Sequence, residues 1–185
     1  MNKIKVIALY GKSSAGKDTI QNWIVQNYPS CTKKMVSYTT RPPRDYEEDG
    51  RDYYFISNEE FAEKVLNGDM LEAVEFNGWF YGSAISALDP EKINVGVYNP
   101  EGIQAILNDD RLFVIPVLIY AEDKTRLLRS LYREEKPDCA EICRRFFADE
   151  KDFENLEIEH SLYCYNEGPD FDGGIFGAII KILNN

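Results

Sequence analysis

The sequence predicts an α/β fold in which a parallel sheet of five strands lies between layers of helices. Short apolar runs that suit buried strands alternate with helical patterns, and this alternation is typical of a parallel sheet covered on both faces. The first apolar run, Ile4 to Tyr10, leads through a glycine-rich stretch into a helical pattern. A chain of 185 residues is long enough for one domain of this kind with small insertions.

The elements are predicted from two kinds of pattern. Short apolar runs bounded by turn signals predict strands at 4–10, 35–38, 93–97, 117–120 and 162–165, and the region 39–52 lacks periodicity and is expected to be a loop. Apolar residues at helical spacing between start and stop signals predict helices at 17–28, 57–68, 123–133, 138–154 and 175–183, with another that begins at 100.

Particular boundaries follow from local signals. The pair Ser57 and Glu60 is a capping box, and Asn99-Pro100 caps the next helix with proline at its first position. Asn77-Gly78 predicts a hairpin with a type I′ turn between 74–76 and 79–81. Pro116 is expected to open the strand that follows it, because a missing N–H is tolerated there.

The glycine-rich stretch has the spacing Gly-x-x-x-x-Gly-Lys. Its glycines let backbone N–H groups turn toward a phosphate, and the positive end of the next helix faces the same anion. Lys17 then reaches the β- and γ-phosphates of a nucleoside triphosphate, whereas an ordinary strand-to-helix turn is the alternative. The predicted triphosphate-binding residues here are Gly11, Lys12, Ser13, Ser14, Ala15, Gly16, Lys17, Asp18 and Thr19.

Asp18 stands where phosphate loops usually carry a serine or threonine, and Thr19 follows it. The usual hydroxyl contacts Mg²⁺, and a carboxylate is also a hard oxygen ligand that Mg²⁺ accepts. The departure therefore concerns the metal geometry more than phosphate binding. Asp18 is the predicted metal ligand.

The charge of the chain restricts its partners. A formal net charge of −11 argues against binding of nucleic-acid polymers or anionic membranes, and no apolar stretch approaches the ~20 residues that span a bilayer. The cysteines form no Cys-x-x-Cys pair, so reduced thiols in the cytoplasm are expected. Arginines bunch at 41–51, 126–133 and 144–145, which suits a small anionic ligand in a cleft. Solvated ion pairs are the alternative, and Glu141 with Arg145 is one candidate.

A second constellation occupies residues 37–55 and 71–83. Arg41 and Arg44, three residues apart and braced by prolines, can present a fork to a phosphate monoester, and tyrosine hydroxyls can donate to its other oxygens. The carboxylate of Glu72 can accept two parallel N–H bonds from a guanine edge. Hydroxyls at 37 and 83 could complete the hydrogen bonding of the base.

The constellation resembles guanylate kinases, which convert GMP and ATP into GDP and ADP. The stretch Ser-x-Thr-Thr-Arg-x-Pro-Arg with the acidic-Gly-x-Asp-Tyr that follows carries the resemblance, which runs through about Ser83 and continues more weakly to the end. It implies a P-loop kinase fold with Mg²⁺, in a monomer or homodimer. The implied segments are core over 1–33, 89–124 and 151–185, a nucleotide-binding insertion over 34–88 and a helical lid over 125–150.

The resemblance also implies roles for individual residues. In the lid, Arg129 and Arg133 match an arginine pair, and Arg145 matches a third arginine if one residue is inserted, with Arg144 as the fallback. Asn166 resembles an asparagine near the ATP sugar. The implied catalytic residues are Lys17, Arg41, Arg133 and Arg145. The implied GMP ligands are Ser37, Arg41, Arg44, Tyr53, Glu72, Tyr81, Ser83 and Asn99, and Arg129 and Asn166 join the loop on the ATP side.

One position departs from the family pattern. The usual Asp-x-Asp after a central strand reads Val97-Tyr98-Asn99, and Asn99 can donate and accept but carries no charge. A shift to dGMP or a relaxed base preference is a natural consequence. The alternatives are a kinase for another deoxynucleoside monophosphate and a guanylate-kinase-like binding module without catalysis. Such modules lose the phosphate loop, so the retained Gly11, Gly16 and Lys17 favour the enzyme.

Overall fold

The computed structural model describes residues 3–43, 47–76, 78–133, 135–159, 162–166 and 181. Its strands are β1 (Ile4–Tyr10), β2 (Thr32–Lys34), β3 (Tyr38–Thr39), β4 (Tyr54–Phe55), β5 (Met70–Phe76), β6 (Trp79–Ala84), β7 (Ile93–Tyr98), β8 (Leu112–Tyr120) and β9 (Leu162–Tyr165). Its α-helices are α1 (Lys17–Asn27), α2 (Asn58–Leu66), α3 (Pro100–Leu107), α4 (Asp123–Tyr132) and α5 (Cys139–Phe153).

The large sheet is parallel and has the strand order β2-β7-β1-β8-β9. The central strand β1 is fully buried from Val6 to Leu9, as expected where helices cover both faces. Helix α1 packs on one face through Ile20 and Ile24, and α3 packs on the other through Ile103 and Ile106. The predicted α/β fold with a parallel five-stranded sheet is therefore confirmed.

The second sheet is small and mixed, with the order β4-β3-β6-β5. Strand β3 runs parallel to β4 and antiparallel to β6, and β5 and β6 form the predicted hairpin. Gly78 has φ 76°, whereas Asn77, on which the predicted turn type depends, lies outside the described residues. The segment boundaries expected from the sequence stay predictions.

The helix-start signals in the sequence are confirmed. The hydroxyl of Ser57 accepts the backbone N–H of Glu60, and the Glu60 carboxylate accepts the N–H of Ser57. Asn99 caps α3 through its side-chain oxygen, with Pro100 at the first helical position. The helix predicted at 175–183 falls almost entirely on residues that the structure leaves undescribed. None of the described helices is long and apolar enough to cross a membrane.

Two strand predictions are wrong. Residues 35–37 lie outside any strand, because the chain passes here from β2 in the large sheet to β3 in the small one. The strand expected to open at Pro116 begins at Leu112 instead. Pro116 lies opposite Ala8 of β1, and the pairing with β9 begins only at Val117. Pairing along β1 therefore extends the strand past a residue that lacks an N–H.

The capping box predicts a measurable contribution to stability. Replacing Ser57 by Ala leaves the Glu60 N–H without its side-chain acceptor and should lower the free energy of unfolding by about 1 kcal/mol. Urea unfolding of the wild type and the variant measures the change. Glu60→Gln is the matched control because glutamine also closes a capping box. Equal losses in the two variants would contradict the role given to the hydroxyl.

Candidate active site

The phosphate loop, Gly11 to Lys17, joins β1 to α1 in a conformation that needs glycine at two positions. Gly11 has φ 146° and Gly16 has φ 97°, values that L side chains rarely adopt. A Cβ atom at Gly11 would collide with the carbonyl oxygen of Ile119, and one at Gly16 would collide with Nδ2 of Asn166. The loop therefore packs directly against β8 and against the residue that follows β9.

The side chain of Lys17 folds back into its own loop. Its ammonium donates to the carbonyl oxygen of Gly11 at 2.7 Å and to that of Lys12 at 3.1 Å. Burial lowers the pKa of Lys17, and the negative charges of Asp18 and Asp149 partly oppose that shift. The loop thus holds a desolvated cation at its centre, where an anionic phosphate would be attracted.

Helix α5 supplies two carboxylates to the phosphate loop. The backbone N–H and the hydroxyl of Ser13 donate to Asp149 at 2.7 and 3.1 Å, and the ammonium of Lys12 donates to Glu150 at 2.5 Å. Arg126 of α4, only 2% exposed, donates to Asp149 at 2.7 Å and to the carbonyl oxygen of Ser13 at 3.0 Å. Charged side chains therefore dock α4 and α5 on the loop, a contact that the sequence analysis missed.

The predicted ATP-side residues Arg129 and Asn166 also meet at the loop. Arg129 donates to the carbonyl oxygens of Asn166 at 3.0 Å and Ala15 at 3.4 Å. The side-chain amide of Asn166 donates to the same Ala15 oxygen at 2.7 Å. These bonds tie α4 and the end of β9 to the backbone of the loop.

The two arginines predicted as lid catalysts have different surroundings. Arg133 donates to the hydroxyl of Ser14 at 2.9 Å, directly on the loop. Arg145 donates to Glu141 at 2.8 Å, the ion pair expected at this spacing, and its side chain lines the cleft described below. Arg144 also binds Glu141 but is absent from the described lining, which favours Arg145 over its fallback.

The residues predicted to bind the acceptor phosphate cluster on the small sheet. Arg41 forks onto the carboxylate of Glu47 with two bonds of 2.9 Å, and its guanidinium lies 5.6 Å from the ring centre of Tyr53. The ring of Tyr81 lies edge-on to that of Tyr53. Burial raises the pKa of Tyr53 to about 12, and the negative charge of Asp18 is the second contribution to this shift. The hydroxyl of Tyr53 therefore stays a donor at neutral pH. Arg44 lies outside the described residues.

The residues predicted to read the base surround a half-buried carboxylate. The hydroxyls of Ser37 and Ser83 lie 3.2 Å apart. Burial raises the pKa of Glu72 to about 7, and hydrogen bonds with Ser83 oppose that shift. Burial and then the charge of Glu72 raise the pKa of Tyr98, which therefore stays neutral beside the carboxylate. No role was predicted for Tyr98 from the sequence, although its place at the carboxyl end of a parallel strand favours a functional residue.

Asn99 lines the same cleft as the base-reading residues and also caps a helix. Its side-chain oxygen accepts the backbone N–H of Gly102 at 2.7 Å and so caps α3. The cap uses one acceptor position of that oxygen and fixes the orientation of the amide. An aspartate could form the same cap, so Asn99 differs from it in its charge and in the donor N–H groups of its amide.

One cleft of about 1550 Å³ connects most of the predicted site residues, whereas Lys12, Ala15 and Ser83 are absent from its described lining. Its volume exceeds the roughly 300–1,000 Å³ of a typical single-ligand pocket, which suits two nucleotides. The carboxyl ends of β1, β7 and β9 lead to its walls, as expected for a ligand site in an open parallel sheet. The described lining includes Gly11, Ser13, Ser14, Gly16, Lys17, Asp18, Thr19, Ser37, Arg41, Tyr53, Glu72, Tyr81, Asn99, Arg129, Arg133, Arg145 and Asn166.

Asp18 is placed to face both halves of the cleft. It is exposed, and its charge acts on Lys17 in the loop and on Tyr53 on the acceptor side. No group of three or more metal-ligating side chains occurs among the described residues. Mg²⁺ commonly takes one or two carboxylates and completes its shell with water and substrate phosphates, so a single carboxylate here fits that ion.

A glycine-rich loop at the carboxyl edge of a parallel sheet, with a small second sheet lining the same cleft, defines an α/β protein with the features of a nucleotide-binding site. The family model described as guanylate kinase matches residues 3–170. This chain belongs to the guanylate kinase family.

Individual relatives agree with that membership. The guanylate kinase of Mycoplasma capricolum subsp. capricolum is 38% identical over 188 residues, a match that covers 100% of this chain and 61% of the relative. The MAGUK p55 subfamily member 4 of Rattus norvegicus is 36% identical over 107 residues, which cover 56% of this chain and 24% of the relative. The chain thus spans less than two thirds of both relatives. The crystal structure of guanylate kinase from Anaplasma phagocytophilum has the same fold, with a TM-score of 0.66 at 22% identity, and the match covers 100% of this chain and 86% of that one.

The raised pKa of the half-buried Glu72 predicts a pH-dependent stability. Its pKa is raised from 4.5 to about 7, so the folded protein holds the proton more tightly than the unfolded chain. This contribution to stability is complete below pH 4.5 and is lost as the pH rises through about 7. Between these limits the free energy of unfolding should fall by about 3 kcal/mol relative to Glu72→Gln.

Urea unfolding of the wild type and Glu72→Gln at several pH values measures this difference. Glu75→Gln, which changes an exposed glutamate on the same strand, is the matched control and should follow the wild type. A constant difference between the wild type and Glu72→Gln across this range would show that Glu72 titrates normally.

Proposed function

We propose that the chain is an ATP-dependent kinase that transfers the γ-phosphoryl group of ATP to GMP or dGMP and releases ADP. The observation that carries the proposal is that the phosphate loop and the predicted acceptor residues face one cleft. Membership of the guanylate kinase family supports the same reaction. The expected cytoplasmic location and the expected state as a monomer or homodimer remain predictions.

On the donor side, the loop binds the triphosphate. Backbone N–H groups of the loop and the start of α1 face the β- and γ-phosphates, and Lys17 moves from loop carbonyls to phosphate oxygens. Arg129 and Asn166 orient the sugar side of ATP from positions already bonded to the loop. The cost of burying the Lys17 charge is offset when a phosphate supplies the opposite charge.

On the acceptor side, the phosphate of GMP is the nucleophile and is already ionised at neutral pH, so no general base is needed. Arg41 and the hydroxyls of Tyr53 and Tyr81 hold that phosphate, and Arg44 is the proposed second arginine. Glu47 fixes the guanidinium of Arg41 through two parallel bonds, which preorganises the fork before the acceptor binds. The reaction then depends on positioning and on neutralisation of charge.

The lid completes the site. Arg133 and Arg145 supply positive charge to the transferring phosphoryl group, a contribution that is worth roughly 10³–10⁵ in rate in other phosphoryl-transfer enzymes. Closure of α4 and α5 over the loop also excludes water, which limits hydrolysis of ATP. Mg²⁺, with Asp18 as its proposed protein ligand, would neutralise charge on the β- and γ-phosphate oxygens.

Base selection is assigned to Ser37, Glu72 and Ser83. The ionised carboxylate of Glu72 accepts two N–H bonds from guanine, whereas adenine lacks that pair of donors. A kinase for a different deoxynucleoside monophosphate is the second candidate, because Asn99 replaces a carboxylate and its oxygen is engaged in the helix cap.

Coupled release of ADP with ATP, Mg²⁺ and one monophosphate at a time tests the proposal. We expect the fastest turnover with GMP or dGMP and little turnover with AMP. A preference for another monophosphate would keep the mechanism and change the substrate. If the protein binds nucleotide but releases ADP with no acceptor, the proposal of an enzyme would be overturned in favour of a binding module.

The pKa of Glu72 predicts how the Michaelis constant for GMP depends on pH. Protonation removes one acceptor position and adds a donor where guanine also donates, so KM should rise about fivefold from pH 7 to pH 6, with little change in kcat. The acceptor phosphate also titrates near pH 6. The profile with AMP is therefore the control, because AMP shares that phosphate but does not need the carboxylate. Parallel profiles for the two acceptors would contradict the assignment.

A further inference from the structure

Ser14, the fourth residue of the phosphate loop, has φ 61° and is the one described non-glycine residue with a positive φ. An L residue in this left-handed region costs free energy that glycine would avoid. Strain of this kind persists where the surroundings hold it, and it is often found at functional sites. The presence of a serine at this position, where glycine would be unstrained, therefore needs an explanation.

The hydroxyl of Ser14 lies in a chain of hydrogen bonds to the lid. Arg133 donates to Ser14 Oγ at 2.9 Å, and the hydroxyls of Ser14 and Ser130 lie 2.7 Å apart. Ser130 Oγ in turn donates to the carbonyl oxygen of Arg126 at 3.0 Å. A guanidinium can only donate and a carbonyl can only accept, so the direction of every bond is determined. Ser14 must accept from Arg133 and donate to Ser130.

These hydrogen bonds fix the position of the long side chain of Arg133. Arg133 follows the last residue of α4 and is exposed, and within the described ranges Ser14 Oγ is its one hydrogen-bond acceptor. Because each hydroxyl both accepts and donates, the bonds polarise one another in the same direction. The guanidinium is therefore held next to the loop that contains Lys17.

We propose that Ser14 is a positioning residue that orients Arg133 for phosphoryl transfer, and that the loop keeps a strained backbone for the sake of this hydroxyl. The inference rests on the proposed function, because Arg133 is the group that it positions. Ser14 acts through Arg133 and Ser130, in addition to any contact of its backbone N–H with phosphate. A glycine at this position would relax the loop and release the arginine.

A pair of variants separates the hydroxyl from the strain. Ser14→Ala removes the hydroxyl and keeps the strain, whereas Ser14→Gly removes both. We expect kcat to fall about tenfold or more in both variants, since a bond to a charged group is lost, with a smaller change in the KM for ATP. Ser14→Gly should also have a higher melting temperature than Ser14→Ala. Full activity in either variant would overturn the proposal.

A double-mutant cycle tests whether Ser14 acts through Arg133. In an Arg133→Ala background, Ser14→Ala should have no further effect on kcat. An undiminished effect in that background would mean that Ser14 acts on the loop itself and would overturn the positioning role. Ser86→Ala, which removes a hydroxyl bonded to Asp69 outside the cleft, is the control and should leave kcat unchanged.

The same cycle measured by urea unfolding without nucleotide separates this inference from the proposed function. Coupling between Ser14 and Arg133 in unfolding, together with coupling in kcat, is the expected result. Coupling in unfolding with additive effects on kcat would leave a structural contact and overturn the role in transfer. A wild type that transfers phosphate to no acceptor would overturn the proposed function, and the role of Ser14 in transfer would be rejected with it.

Discussion

The bonds between the ammonium of Lys17 and the carbonyl oxygens of its own loop are the interaction on which the site depends. These bonds form because the loop surrounds the ammonium group. That loop conformation has positive φ values at Gly11 and Gly16, which favour glycine. The buried strand β1 carries the loop to the sheet edge, and α1 continues from it. Burial lowers the pKa of Lys17, so its buried charge costs stability, and a phosphate would compensate that cost.

Carboxylates also orient three arginines in and beside the cleft. Asp149 holds Arg126, Glu47 holds Arg41 and Glu141 holds Arg145. A net charge of −11 is thus compatible with an anion-binding site, because the excess negative charge includes the groups that orient its arginines. Arginines fixed in advance lose less side-chain entropy when a phosphate binds, and this preorganisation supports both binding and catalysis.

The sequence predicted those features whose causes are local. The glycine turn that starts α1, the Ser57 capping box and the Asn99 cap each depend on a few adjacent residues, and each formed as expected. Residues 35–37 were misassigned because their conformation depends on a crossing between two sheets. Pro116 was misassigned because pairing with β1 outweighed its local preference.

The parts of the candidate site that the sequence did not reveal depend on distant contacts. Asp149 accepts a hydrogen bond from Ser13, which lies 136 positions away in the chain. An aspartate on a charged helix is usually exposed, and no local sequence pattern indicates that Asp149 makes this contact. Tyr98 lies in an apolar run, and only the fold brings it beside Glu72. Ser14 was read as one more residue of the loop, since its φ and its bond to Arg133 exist only in the folded chain.

We propose that Lys17 contacts the phosphates of ATP and that the acceptor half of the cleft binds GMP without it. The most direct test is Lys17→Met, which keeps the length of the side chain and removes its charge, with GMP binding measured by calorimetry and ADP release measured in parallel. We expect that turnover is largely lost, that GMP binds as in the wild type, and that the variant without nucleotide is at least as stable as the wild type. Unchanged turnover, or loss of GMP binding in a folded variant, would contradict it.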